Sequence, residues 1–252
     1  MKPKKYFCIF LLSILSILGQ SQVDVKKEIS PVTKNKEIKT FPIEKGLYDH
    51  TFKLTNKETW NVKISIPEIK EGEEVPLIIA LHWAGDPNVY QEYASCLALP
   101  ALDTLKGIII IPSSNGLLWT DPKNENKTID LIRKIKKYWP VAQDKTIITG
   151  YSSGAIATWN YIKKYPKLFS AGIPMAGIYD ESKIKIPLFV IHGNKDELFN
   201  YKEIEHSVHQ SIKKGSHIDF QIADNRSHFM ACSFVDFLKE KVLKVKNEIF
   251  EN

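Results

Sequence analysis

A serine bracketed by two glycines stands at the centre of residues 146–159, TIITGYSSGAIATW. Gly150 and Gly154 lie two positions before and two after Ser152, as a strand-to-helix turn too tight for side chains at those places requires. Such a turn exposes the serine hydroxyl, and the dipole of the following helix favours an oxyanion beside it. The pattern predicts that Ser152 is a nucleophile, the alternative being a serine in an ordinary loop.

Two further residues could complete an acyl-transfer site with this serine. Asp196 follows the apolar run in PLFVIHGNKDELF, and His228 stands in ADNRSHFMACSFVDFLKE, between the last apolar run and the last helix-like segment. A histidine there could take the Ser152 proton, and an aspartate could fix its tautomer. The order Ser152, Asp196, His228 differs from that of the two best-known serine protease folds. An N-cap role for Asp196 is the alternative, and Glu197 and Asp180 are weaker competitors for the acid.

The segment LIIALHWAGD is the predicted source of a main-chain donor for an oxyanion. A tetrahedral intermediate needs two backbone N–H donors. Ser153, which follows the nucleophile, is one candidate, and Ala84 is the other, with Trp83 as the fallback. His82 is interpreted as a structural residue that pins this loop by a hydrogen bond.

The elements that must position these residues can be read from the apolar pattern. YDHTFKLTN and ETWNVKISIPE alternate with period two and predict an antiparallel hairpin. From Pro76 onward, short apolar runs alternate with segments of helical length, as in parallel strands buried under helices. The sequence predicts one α/β domain, with a mainly parallel sheet of about eight strands and helices on both faces. Ligands bind at the carboxyl ends of such strands, where all four polar segments fall.

The N-terminus has the three parts of an export signal. A basic start and an apolar run from Phe7 to Leu18, too short to span a bilayer, precede small and polar residues. We predict a signal peptide at 1–21, a polar tether at 22–45 and the domain at 46–252. The mature protein would be secreted or periplasmic with no stable membrane anchor, the alternative being an uncleaved N-terminal anchor.

The charge and the cysteine content bear on nucleic-acid binding, zinc sites and disulfide pairing. Loss of Lys2, Lys4 and Lys5 with the signal lowers the formal net charge from +6 to +3. The remaining basic residues are dispersed, so nucleic-acid binding has little support. Cys96 and Cys232 fit no zinc pattern, and the sequence leaves open whether they pair. No metal or organic cofactor is implied, and the oligomeric state is left open.

Taken in series, LHWAGD, GYSSGA followed by YPKLFSAGIPMAG, VIHGNKDELF and SHF resemble the α/β-hydrolase superfamily. The nearest resemblance is to small secreted esterases that include feruloyl-esterase, polyhydroxybutyrate-depolymerase and predicted-peptidase relatives. The resemblance covers about residues 60–240 and implies Ser152 as nucleophile, Asp196 as acid and His228 as base. Trp83 departs from it, since glycine is usual there, and Ala155 replaces another common glycine.

The resemblance also bears on the substrate. Members of the superfamily commonly insert a lid where this chain has only GIYDESKIKI, so we expect no large lid and an open site. This favours a short acyl or aryl ester, possibly on a polysaccharide, over a long buried acyl chain. Trp83, Trp119 and Tyr151 are the predicted substrate contacts, with packing an equal alternative for Trp119.

The predicted function is a secreted serine carboxylic-ester hydrolase acting through an acyl-enzyme. A serine peptidase of prolyl-oligopeptidase type would use the same three residues but generally carries an additional domain. A catalytically silent hydrolase-fold binding protein is the remaining alternative, supported by the Trp83 departure.

Overall fold

The computed structural model describes residues 33–251. The predicted signal peptide and residues 22–32 of the predicted tether lie outside this range. No helix among the residues described is both long and apolar enough to cross a membrane.

Eight strands form a single sheet in the order β1-β2-β4-β3-β5-β6-β7-β8. β1 and β2 are antiparallel to their neighbours, and the remaining strands run parallel to one another. The predicted mainly parallel sheet is therefore confirmed. The strands are β1 (Gly46–Lys53), β2 (Thr59–Ile66), β3 (Val75–Leu81), β4 (Ile108–Pro112), β5 (Val141–Tyr151), β6 (Ala171–Met175), β7 (Leu188–Gly193) and β8 (Ile218–Ala223).

Helices cover both faces of the sheet because the central strands carry apolar side chains on both faces. In β3, Leu77 and Ile79 join one core and Ile78 joins the other. The helices are α1 (Asn35–Lys39), α2 (Val89–Tyr93), α3 (Leu99–Leu102), α4 (Pro122–Tyr138), α5 (Ser153–Lys164), α6 (Tyr201–Lys213) and α7 (Val235–Val245). The first core contains residues of α1, α4, α5 and α6, and the second contains residues of α2, α3 and α7.

The segment 33–45, expected to be part of a polar tether, is packed against the domain. Ile38 in α1 is fully buried, and its carbonyl accepts a hydrogen bond of 2.8 Å from the Trp139 indole N–H. Phe41 stacks on Trp139, and the Thr33 hydroxyl donates to Asp130 over 2.6 Å. The prediction is corrected here because two apolar side chains among many lysines are enough to anchor a short segment.

The connection between β6 and β7, residues 176–187, contains no helix or strand. It is the place where the resemblance would put a lid. The expectation of a fold without a large lid is confirmed for this connection.

Candidate active site

Ser152 lies between the end of β5 and the first residue of α5, with φ 54° and ψ −116°. This conformation is sparsely populated for any residue with a side chain and holds the serine at the apex of a sharp turn. A Cβ at Gly150 would lie 2.3 Å from the main chain of Gly154, and a Cβ at Gly154 would lie 2.0 Å from the Leu81 carbonyl oxygen. Both glycines are therefore required by close main-chain contact, as the spacing predicts.

The structure brings Ser152, His228 and Asp196 together. His228 Nε2 lies 2.8 Å from Ser152 Oγ, and His228 Nδ1 lies 2.8 Å from Asp196 Oδ2. A carboxylate can only accept, so Nδ1 carries a proton and Nε2 is left to accept the Ser152 hydroxyl proton. The imidazole is thus held in the tautomer that a general base needs.

Asp196 is fixed by the turn that follows it. Its Oδ1 accepts main-chain N–H groups from Leu198 and Phe199 at 2.9 and 2.8 Å, and its side chain is 1% exposed. Burial raises the pKa of Asp196, but the hydrogen bond and charge of His228, with the Phe199 N–H, outweigh burial and lower it. His192, fully buried, donates through Nε2 to the Phe199 carbonyl over 2.9 Å and holds the same turn.

The loops after β7 and β8, which carry Asp196 and His228, are bound to each other. The Lys195 N–H donates to the Arg226 carbonyl over 3.1 Å, and the Asn194 side chain accepts from the Asn225 N–H over 2.8 Å. A Cβ at Gly193 would lie 2.2 Å from that Arg226 carbonyl oxygen. Glycine at 193 therefore lets the two loops approach closely enough for the acid to reach the base.

The two main-chain N–H groups predicted to bind an oxyanion belong to Ala84 and Ser153. Within residues 33–251, neither the Ala84 N–H nor the Ser153 N–H donates a hydrogen bond. Ser153 begins α5, where N–H groups lack partners within the helix and the dipole is positive. Both predicted donors therefore keep an N–H that no group of the described residues uses.

His82 holds the peptide that carries the Ala84 N–H. It is fully buried, and its Nε2 accepts the Ser114 N–H over 3.0 Å, so Nδ1 is protonated and donates to the Trp83 carbonyl. Burial lowers the pKa of His82 to about 4, which keeps the ring neutral. The Trp83 carbonyl and the Ala84 N–H belong to one planar peptide and point in opposite directions. Anchoring the carbonyl against His82 therefore directs the N–H away from it.

Of the three predicted substrate contacts, two are placed elsewhere by the structure. Trp119 is fully buried, and its indole N–H donates to the His82 carbonyl over 2.8 Å, so it supports the loop of residues 82–84, named the oxyanion loop after its predicted donor. Tyr151 is 1% exposed, and its hydroxyl donates to the His228 carbonyl over 2.9 Å. Both corrections have one cause, since a large aromatic side chain with a polar tip can be fully buried when that tip finds a main-chain partner.

Trp83 is the third predicted substrate contact, and this role stays a prediction. Its side chain is partly buried, and its ring meets the rings of Tyr93 and Tyr151 edge-on at 5.6 and 6.1 Å. The indole packs outward against the core that contains α2, so its bulk does not prevent the loop from forming.

Two features of the site were not assigned from the sequence. Glu197, considered there only as a competing acid, instead accepts the main-chain N–H of His228 over 2.9 Å. Cys96 and Cys232 form a disulfide that joins the helical turn after α2 to the turn after His228. Residue spacing gave no signal for the pairing, because the two cysteines are 136 positions apart.

Comparisons with known proteins agree with this architecture. No protein-family model matches the chain. A bifunctional acetylxylan esterase/xylanase of Neocallimastix patriciarum is 24% identical over 139 residues, which cover 52% of this chain and 20% of that protein. The crystal structure of a thermostable esterase is 20% identical with a TM-score of 0.66, covering 81% of this chain and 63% of that one.

A peptidase has a similar fold. The acylaminoacyl peptidase of Pyrococcus horikoshii is 18% identical with a TM-score of 0.61, covering 82% of this chain and 42% of that one. The chain thus spans less than two thirds of the length of each of these proteins. Sheet order, glycine-bounded turn and structural likeness together identify the chain as a protein of the α/β-hydrolase fold, which confirms the fold that the sequence resemblance implies.

Proposed function

We propose that this protein is a serine carboxylic-ester hydrolase that acts through an acyl-enzyme. The observation that carries the proposal is the continuous hydrogen-bond chain from Ser152 Oγ through His228 to Asp196, with 2.8 Å at each step. The likeness to an esterase structure and to an acetylxylan esterase/xylanase supports the ester as the bond cleaved.

In the proposed mechanism, Ser152 Oγ attacks the ester carbonyl carbon while His228 Nε2 takes its proton. The negative charge that develops on the carbonyl oxygen is stabilised by the N–H groups of Ala84 and Ser153. Each such donor is typically worth about 3 kcal/mol in the transition state. The imidazolium, stabilised by Asp196, then gives its proton to the departing alcohol.

The acyl-enzyme is released by the reverse sequence of proton transfers. Water enters at the position of the departed alcohol and loses a proton to His228 Nε2 as its oxygen attacks the acyl carbon. A second tetrahedral oxyanion forms against the same two N–H groups, and its collapse returns the proton to Ser152 Oγ. The acid product then leaves.

The substrate we propose is a short acyl or aryl ester, possibly attached to a polysaccharide. The short connection at residues 176–187 supports it, because this segment has no helix or strand that could form a lid over a long acyl chain. The acetylxylan esterase/xylanase is the relative whose name supports a polysaccharide carrier. Export to the periplasm or the medium, through the signal predicted at residues 1–21, belongs to the same proposal.

A serine peptidase is the second candidate, and the likeness to an acylaminoacyl peptidase favours it. That protein is more than twice as long as the portion this chain covers. The same three residues would serve peptide hydrolysis, so the leaving group has to be tested directly.

The experiment compares purified protein with the Ser152→Ala variant on p-nitrophenyl acetate, p-nitrophenyl butyrate and peptide p-nitroanilides. We expect wild type to hydrolyse the esters and the variant to lose activity by about 10⁴-fold or more, since removing the nucleophile leaves only binding and oxyanion stabilisation. Preferred cleavage of the anilides would indicate the peptidase instead. Equally slow reaction by both proteins would make the nucleophile assignment wrong and favour a silent binding protein.

A further inference from the structure

His228 is held at four points, and only two of them are reacting groups. Its two ring nitrogens face Ser152 and Asp196, while its main-chain N–H donates to Glu197 and its carbonyl accepts from Tyr151. We propose that Tyr151 and Glu197 are positioning residues that clamp the main chain of His228 and so aim its imidazole at Ser152. The inference rests on the proposed function.

Tyr151 provides the more rigid half of the clamp. It is the last residue of β5, 1% exposed, and its ring meets the Phe234 ring edge-on at 5.2 Å. A ring enclosed in this way keeps its hydroxyl at a fixed place, 2.9 Å from the His228 carbonyl oxygen. Ser152 is the next residue, so the same strand end fixes both the nucleophile and the main chain of the base.

Glu197 provides the other half of the clamp. Like Tyr151 beside Ser152, it binds the main chain of His228 while its neighbour Asp196 contacts the ring. Its Oε2 lies 2.9 Å from the His228 main-chain nitrogen, while Asp196 Oδ2 lies 2.8 Å from His228 Nδ1. Two consecutive carboxylates therefore bind one residue, the first through the ring and the second through the main chain. Hydrogen bonds with an ionised partner are roughly twice as strong as neutral ones, which suits a role in fixing a loop.

The clamp is needed because His228 is not part of a helix or strand. It lies between the end of β8 and the turn Ala231–Phe234, and Phe229 and Met230 directly after it are exposed. A loop residue lacks the regular main-chain hydrogen bonds of a helix or strand, so it depends on side chains to fix its φ and ψ. A misplacement of about 1 Å can cost about a hundredfold in rate.

The experiment measures kcat and KM on p-nitrophenyl acetate for Tyr151→Phe, Glu197→Ala and Glu197→Gln, with wild type and Ser152→Ala alongside. We expect Tyr151→Phe and Glu197→Ala to lower kcat by about tenfold or more with KM nearly unchanged, because proton transfer rather than binding depends on the imidazole position. Glu197→Gln should retain most of kcat, since its amide oxygen can accept the same N–H.

Matched controls remove comparable contacts away from the site. Tyr165→Phe deletes a hydroxyl that lies 2.7 Å from Glu125, and Glu37→Ala deletes a carboxylate that accepts the Lys53 N–H over 3.0 Å. Neither should alter kcat. Thermal unfolding of every variant is measured, and the kinetics are run well below the lowest unfolding midpoint temperature. Because Glu197 is exposed, truncating its side chain leaves the core packing intact.

The clamp and the proposed function can fail separately. Hydrolysis that depends on Ser152 but is no more sensitive to Tyr151→Phe and Glu197→Ala than to the two controls would overturn the clamp and leave the function standing. A Glu197→Gln variant as slow as Glu197→Ala, or a loss confined to KM, would also overturn it. Absence of Ser152-dependent hydrolysis would instead remove the function on which the inference rests.

Discussion

The two sides of Ser152 are organised in different ways. On the proposed acid–base side, two carboxylates hold His228, Asp196 through the imidazole and Glu197 through the main-chain N–H. On the proposed oxyanion side, the groups are the main-chain N–H donors of Ala84 and Ser153, and a buried neutral imidazole, His82, holds the peptide that carries the first of them. The first side therefore depends on hydrogen bonds to carboxylates, whereas the second depends on packing and on an imidazole kept neutral by burial.

The largest expected effect is on the acid–base side. Asp196→Asn keeps the shape of the side chain but presents an amide that no longer favours the reactive imidazole tautomer, so we expect kcat to fall by about 10⁴-fold. Steady-state hydrolysis of p-nitrophenyl acetate measures it. A loss no larger than that of an oxyanion-side variant would remove the distinction between the two sides.

On the oxyanion side, His82→Phe retains a ring against Trp119 but frees the Trp83 carbonyl and the Ser114 N–H. We expect kcat/KM to fall by about a hundredfold, similar to the loss of one oxyanion donor. Binding of a boronic acid, which forms a tetrahedral adduct with Ser152 that mimics the oxyanion intermediate, should weaken more than KM rises. Unchanged kinetics would mean that packing of the Trp83 indole alone holds the peptide.

The disulfide connects the two sides, since Cys96 follows the oxyanion loop and α2, and Cys232 follows His228. Replacing both cysteines by serine should lower the free energy of unfolding by about 2–4 kcal/mol, mainly by releasing a constraint on the unfolded chain. Urea unfolding of oxidised, reduced and double-serine protein measures it. Equal stability of the three forms would contradict the expectation.

The smallest expected effect is a pH dependence of stability from His82. Because its folded pKa is lowered to about 4, this stabilisation is fully present above the unfolded pKa of 6.5 and is lost as pH falls toward 4. We expect His82 to account for about 2 kcal/mol between pH 7 and pH 5. His192, whose pKa burial also lowers, contributes with the same sign.

Urea unfolding at the two pH values, on wild type and His82→Gln, isolates that contribution. The variant should lose less stability between pH 7 and pH 5 than wild type does. An equal loss in both proteins would mean that other groups carry the pH dependence, and that the oxyanion loop does not rely on a neutral ring.

The sequence predicted the sheet and the geometry around Ser152 because both depend on local rules. Gly150 and Gly154 are dictated by main-chain contact, and runs such as PLIIAL are typical of strands buried on two faces. The positions of Asp196 and His228 followed from the rule that strand ends form the site.

What the sequence did not predict depends on contacts between distant segments. The hydroxyl of Tyr151 reaches a carbonyl 77 residues away, and the indole of Trp119 reaches one 37 residues away. An aromatic residue at a strand end looks the same whether its tip faces a substrate or a buried carbonyl. Lysine-rich composition likewise concealed the anchoring of residues 33–45 by Ile38 and Phe41.

The short connection between β6 and β7 bears on which step limits the rate of turnover. Because this connection contains no helix or strand, we expect no lid motion of residues 176–187 to precede substrate entry or product departure. We expect the slow step to be bond making or breaking, with a rate that responds to the basicity of the leaving alcohol or to replacement of water by heavy water. Solvent viscosity should leave it nearly unchanged.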